Sequence, residues 1–146
     1  PWEGKVRLLR FNIKTGEKYS YEPFSHQRGG IIAPPLIIAK NKLCIVWDSI
    51  NGGIAGISYD NYKFKKNWEI NIRPTMQPVY FEQSNELVIN HFDDKSDHLI
   101  VIDVLRGKIL SKVNLRTPMA NGMFLTPGFN NDVLYCSTLA ISKVSW

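Results

Sequence analysis

The sequence predicts an all-β protein built from a repeated unit of four antiparallel strands, and three observations carry that prediction. No stretch of roughly eleven residues places apolar side chains at i, i+3, i+4 and i+7 without an interrupting Gly, Pro or Asn, so amphipathic helices are not expected. Short runs rich in Val, Ile, Leu, Tyr and Trp alternate with turn-forming clusters such as Asn-Gly-Gly, Ser-Asn-Glu and Asn-Asn-Asp. The runs also recur in a fixed order, with a period of about 45 residues.

In chain order the strand candidates are 5–11, 36–39, 43–47, 54–59, 79–82, 87–91, 99–104 and 133–136. The stretch from Pro34 through Trp47 lies over the stretch from Pro78 through His91, and a third copy runs from Met123 to Cys136. Their turn asparagines, Asn41, Asn85 and Asn131, are 44 and 46 residues apart. A second marker follows each hairpin: a strand ending in Asp60 leads to Trp68, one ending in Asp103 leads to Gly107-Lys108, and an earlier copy ending in Asn12 leads to Gly16. Asn12, Asp60 and Asp103 are 48 and 43 residues apart, so the two markers agree on one period. The carboxylate or amide at the strand end is suited to hold the backbone of the following turn, and Gly supplies its positive φ.

Four antiparallel strands in a unit of this length is the pattern of a β-propeller blade, which buries its faces only against its neighbours. The expected organisation is a single propeller segment over 1–146: the end of a first blade at 5–24, blades at 31–72 and 77–115, and a partial blade at 121–146. The order of motifs, a Pro-led first strand, then Asp60 with Trp68 and Asp103 with Gly107-Lys108, resembles the quinoprotein-type (pyrroloquinoline quinone, PQQ) repeat. The second unit departs from it with Lys65-Lys66 where a Gly is usual, and the third with Lys112-Val113 where the Trp would stand. The resemblance implies a non-catalytic scaffold that binds a protein partner or a small anionic ligand, with no cofactor, in an exported or periplasmic setting. Its alternative implication is a piece of a quinone-dependent dehydrogenase, with PQQ and calcium on the propeller face. Those sites use an adjacent cysteine pair, which Cys44 and Cys136 do not supply.

The loops joining successive blades contain Arg28, Arg73 and Arg116, spaced by 45 and 43 residues, with His26 beside the first. A ring of guanidinium groups would focus positive potential and clamp a carboxylate or phosphate bidentately. The plainer role for a repeated Arg is an ion pair with an Asp, or a bond to a carbonyl, of the next unit. The stretch from Asn90 to His98 gathers His91, Asp93, Asp94 and Asp97, which are metal-ligand types without the spacing of a calcium loop or zinc helix, so a solvated hairpin turn is the expectation. Cys44 and Cys136 fall in second strands two units apart, beyond disulfide reach, and are expected to be free core thiols. Trp2, Trp47, Trp68 and Trp146 are expected to pack between blades. Trp47-Asp48 has the letters of a WD repeat without its Gly-His partner.

Composition narrows the function classes. The chain has 146 residues, 18 Lys and Arg against 13 Asp and Glu, a net charge of +5 and 44% hydrophobic residues, which suits a folded core rather than disorder. The positive charge is scattered and residues 82–97 are acidic, so no single basic face points to nucleic acid. No nucleophile elbow, phosphate loop or zinc-protease helix is present. No apolar run approaches a membrane span. At about 45 residues per blade the chain holds about 3.2 blades, fewer than the roughly four of a closed ring. The expectation is a fragment of a larger propeller, or a protomer that closes its ring with a second copy.

Overall fold

The computed structural model describes residues 4–30, 34–60, 63–115 and 122–146, and the fold is all-β. Strands β1 (Leu8–Phe11) and β2 (Lys18–Tyr21) form a first, two-stranded sheet. Strands β3 (Leu36–Ile38), β4 (Leu43–Trp47), β5 (Ile54–Asp60) and β6 (Lys63–Ile70) form a second sheet, paired in sequence order. Strands β7 (Val79–Phe81), β8 (Glu86–Phe92), β9 (Asp97–Asp103) and β10 (Lys108–Asn114) repeat that order in a third. Strands β11 (Gly122–Pro127), β12 (Asp132–Ser137) and β13 (Ile141–Ser145) make the fourth. Every pairing is antiparallel, and helix among the described residues is limited to one 3-10 turn at Ala39–Asn41.

The repeat survives with a corrected register. Superposing the hairpins at 44 residues sets Asn41 on Asn85 and Leu43 on Leu87. In the structure the left-handed residue just before the second strand is Lys42 (φ 49) in one hairpin and Asn85 (φ 58) in the other. Ile38–Leu43 and Phe81–Glu86 are the corresponding closing pairs. One residue of shift exchanges the faces of a strand. Leu43, Ile45 and Trp47 therefore point at the third sheet, whereas Leu87 and Ile89 point back at the second, and all five meet in one core.

The four sheets pack face to face in chain order. Val6, Phe24 and Leu8 meet Cys44, Val46, Ala55 and Ile57 between the first and second sheets. Between the second and third, the five residues above are joined by Ile54, Ile100 and Ile102. Between the third and fourth, Val79, Val88, Leu99 and Val101 meet Leu125, Val133 and Tyr135. The central strands β4, β5, β8 and β9 are thus covered on both faces and read as continuous apolar runs. The outer strands β6 and β10 are mostly exposed, which is why their Lys-rich sequences carry no apolar strand signal.

Of the three strand-end turn markers, Asn12 and Asp103 have the expected geometry, whereas Asp60 accepts from Lys42 Nζ at 3.3 Å and residues 61–62 of its turn lie outside the described residues. Asp103 Oδ1 accepts from the Leu105 and Arg106 amides at 3.0 and 3.1 Å, and Gly107 follows at φ 64. Asn12 Oδ1 accepts from Lys14 and Thr15 at 3.0 and 3.3 Å, and Gly16 follows at φ 74. Trp68 locks the second sheet to the third. Its Nε1 donates to the Val104 carbonyl at 2.8 Å, and its ring occupies space that a Cβ on Gly56 or Gly107 would invade, each at 2.3 Å.

Candidate functional site

The loops that lead into β3 and β7 lie along the same edge as the β4–β5 and β8–β9 turns, and one polar device fixes both. Asp48, fully buried just after β4, is the first hub. Its Oδ1 accepts from the amides of Gly30 (3.2 Å), Ile50 (2.9 Å) and Asn51 (3.1 Å). Its Oδ2 contacts His26 Nδ1 at 3.1 Å and accepts from Asn51 Nδ2 at 2.8 Å. Asn51 Nδ2 also donates to the Arg28 carbonyl. Burial opposes ionisation of Asp48, but the bonds from Asn51, Ile50 and Gly30 outweigh it and hold the carboxyl below its ordinary range. His26 stacks on Phe24, with ring centroids 6.3 Å apart.

In the third sheet Asn90 and His91 at the end of β8 do the same work. Asn90 Oδ1 accepts from the Thr75 and Met76 amides, both at 3.0 Å, and His91 Nδ1 accepts from the Arg73 amide at 2.9 Å. The last bond requires the proton of a neutral His91 to sit on Nε2. Asn90 Nδ2 donates to Thr75 Oγ1 (2.7 Å) and Asp97 Oδ1 (2.9 Å), while Asp97 Oδ2 accepts from the Tyr135 hydroxyl at 2.6 Å. A buried polar chain thus crosses from the third sheet to the fourth. Gly122 is required beside it, because a Cβ there would stand 1.7 Å from Met76 Cε and 2.7 Å from Asp97 Oδ2.

Of the three loop arginines, Arg28 and Arg73 occupy equivalent inter-sheet loops, and Arg116 lies outside the described residues. Arg73 is engaged: its Nη2 meets Asp94 Oδ1 at 2.5 Å and its guanidinium lies 5.1 Å from the Phe92 ring centroid. Arg73 is thus paired with a carboxylate of the turn after β8. The residues 90–98 are not all in a solvated turn, since β8 runs to Phe92, β9 starts at Asp97, and Asn90, Asp97 and His98 are buried. His98 Nε2 contacts Asp93 Oδ2 at 2.8 Å and its ring stacks on His91 at 5.8 Å. The bond to His98, with amide bonds from Ser96 and Lys95, holds the Asp93 carboxyl far below its usual range. Burial lowers the His91 pKa, and the charges of Lys112 and His98 add to that. Asp94 faces Arg73 and Asp97 faces Tyr135, so these carboxylates diverge, and no cluster of three metal-ligand side chains occurs among the described residues.

Cys44 and Cys136 are both free and buried, and burial pushes the Cys44 thiol up to about 11. Sequence reasoning gave no role to Asn51 and Tyr135, and placed Asp48 and Asn90 only in a dipeptide and a polar turn, not as buried hubs. The signal for Asp48 and Asn90 was a polar residue ending an otherwise apolar strand, as in Leu-Cys-Ile-Val-Trp-Asp and Leu-Val-Ile-Asn. No helix among the described residues is long and apolar enough to cross a membrane. In comparisons with known proteins, no family model and no curated protein matches the sequence.

Proposed function

We propose that the chain is a run of β-propeller blades whose inter-sheet loops and second-to-third-strand turns form a rigid, non-catalytic docking edge for a protein partner. The observation that carries this reading is the repeated clamp: Asp48 in one sheet and Asn90 with His91 in the next each hold the incoming loop by its backbone amides. Such clamping removes loop entropy before binding, which favours recognition by a preformed surface. The edge presents His26, Arg28, Arg73 and Asp94 along mixed-charge loops, which suits macromolecular docking better than capture of a small anion. The serial face-to-face packing of the sheets supports the blade reading, because each unit covers its neighbours' apolar faces.

A photo-crosslinking residue at Gln27 or Asp94, compared with one at Lys112 on β10, tests the proposal in the native host. Discrete protein adducts from the first two positions and none from the third are expected. Equal labelling at all three would overturn it.

A further inference from the structure

The loops that enter the second and third sheets are tied down by one bond that recurs with a different acceptor. In the second sheet the Gly30 amide donates to Asp48 Oδ1 at 3.2 Å, and in the third the Arg73 amide donates to His91 Nδ1 at 2.9 Å. Donor and acceptor each lie 43 residues further on, the offset that also relates the closing pair Ile38–Leu43 to Phe81–Glu86. The two bonds therefore occupy one position of the repeat. A carboxylate keeps accepting throughout the pH range in which an imidazole titrates. An imidazole nitrogen accepts only while it is neutral, because protonation turns it into a donor facing the amide.

We infer that His91 makes the third-sheet half of the edge an acid-sensitive element: on taking up a proton it releases the Arg73 amide, and the edge loosens around Arg73 while the Gly30 loop stays fixed. For its consequence, a hold on the partner that weakens in mild acid, this rests on the reading of the edge as a docking surface. The proton has one place to go, since a neutral His91 that accepts at Nδ1 already carries its hydrogen on Nε2. Around the ring stand His98, directly opposite on β9 and stacked at 5.8 Å, Lys112 on β10, the Arg73 side chain, and Asp93 in the turn. Asp93 is already engaged by His98 and by the amides of Lys95 and Ser96, and Arg73 by Asp94 and the Phe92 ring. Burial, then the charges of Lys112 and His98, lower the pKa of His91, so release falls below about 6.5. Arg73 and the end of β8 exchange a second bond, from the Phe92 amide to the Arg73 carbonyl at 3.0 Å, so the residue is loosened and not detached. On either side the chain stays anchored by groups that do not titrate: the Ile72 carbonyl accepts from the Gly53 amide, and Asn90 Oδ1 holds the amides of Thr75 and Met76.

Amide hydrogen exchange, followed residue by residue on the whole chain, tests the release without any partner. Protection of the Arg73 amide is expected to fall about tenfold between pH 7.5 and pH 5, while the Gly30 and Met76 amides keep theirs. His91→Asp installs the kind of acceptor the second sheet uses and His91→Asn a neutral one, and in either the fall is expected to vanish. Circular dichroism shows which of the two folds, and one is enough. Protection at Arg73 that is indifferent to pH in the parent, or a fall that survives substitution of His91, overturns the inference. So does an equal loss at Gly30 and Met76, which would make the response a general loosening. The consequence for docking is read with a photo-crosslinking residue at Lys95, which leaves Asp94 in place, and a second at Gln27. Adducts from position 95 are expected to fade at pH 5 while those from position 27 persist, and adducts unchanged at both overturn the link to docking. No adducts from either position at pH 7.5 would defeat the docking reading itself, while the exchange measurement still decides the release.

Discussion

The joint between the second and third sheets and the joint between the third and fourth solve one problem in two ways. The first is dry: Leu43, Ile45, Trp47, Ile54, Leu87, Ile89, Ile100 and Ile102 interlock, with Trp68 wedged against Gly56 and Gly107. The second encloses a polar chain, Thr75–Asn90–Asp97–Tyr135, within a core of Val88, Leu99, Val101, Leu125 and Val133. Close packing fixes the dry joint through shape, so it is sensitive to volume. The stitched joint depends on every donor and acceptor being matched, so it is sensitive to the loss of one partner.

The largest effect should come from the wedge. Trp68→Ala removes a large ring, opens a cavity against two glycines that have no side chain to fill it, and leaves the Val104 carbonyl without its donor. A loss of about 4 kcal/mol is expected, read as the shift of a urea unfolding midpoint at unchanged slope. A loss below about 1 kcal/mol would show that the dry joint collapses around the gap, and the contrast with the stitched joint would then be lost.

How much of this contrast was legible beforehand follows from what each joint is made of. The all-β class, the period and the turns at Asn12 and Asp103 were readable, because apolar runs and turn chemistry are local signals. Trp68 was readable as part of a recurring motif, although its contacts with Gly56 and Gly107 bring together residues far apart in sequence. The register was misread by one residue, because Asn41 looks like the natural left-handed residue and Lys42 holds that position. Asn90 and Asp97 were read as members of a polar turn. Only their pairing across the β-hairpin, and the hydroxyl of Tyr135 on another sheet, makes them interior. Arg73 was read as a possible anion clamp, and its pairing with Asp94 depends on how the turn at 93–96 folds back over Phe92.

The stitched joint should answer next. Asp97→Ala removes the carboxylate that accepts from the Tyr135 hydroxyl and from Asn90 Nδ2 in a buried setting, at an expected cost of about 3 kcal/mol. Tyr135→Phe removes the hydroxyl itself and leaves Asp97 with its bond from Asn90, so about 1 kcal/mol is expected. A double-mutant cycle between positions 97 and 135 should give coupling comparable to the Tyr135→Phe loss, and additive effects would show that the chain of bonds does not act as a unit. The same cycle between Trp68 and Tyr135, which lie in different joints, should be additive.

The smallest effect, a pH dependence, separates the joints by their titratable groups. The described core of the dry joint contains no carboxyl or imidazole group, whereas the edge of the third sheet carries His91 and Asp93, and the second sheet's loop clamp carries Asp48. His91 has a lowered pKa when folded, so the unfolded chain binds the extra proton first. Its contribution is complete above the unfolded value of about 6.5 and is lost as the pH falls through the range below it. Asp48 and Asp93 are lowered too, so their contributions hold above about 4 and fail only in stronger acid. Stability measured by urea unfolding should therefore decline gently from pH 7 to pH 5 and more steeply below pH 4. His91→Asn offers the Arg73 amide an oxygen in place of Nδ1 and cannot titrate, so it should flatten the first decline and leave the second. If the gentle decline persists in that variant, His91 is not its source.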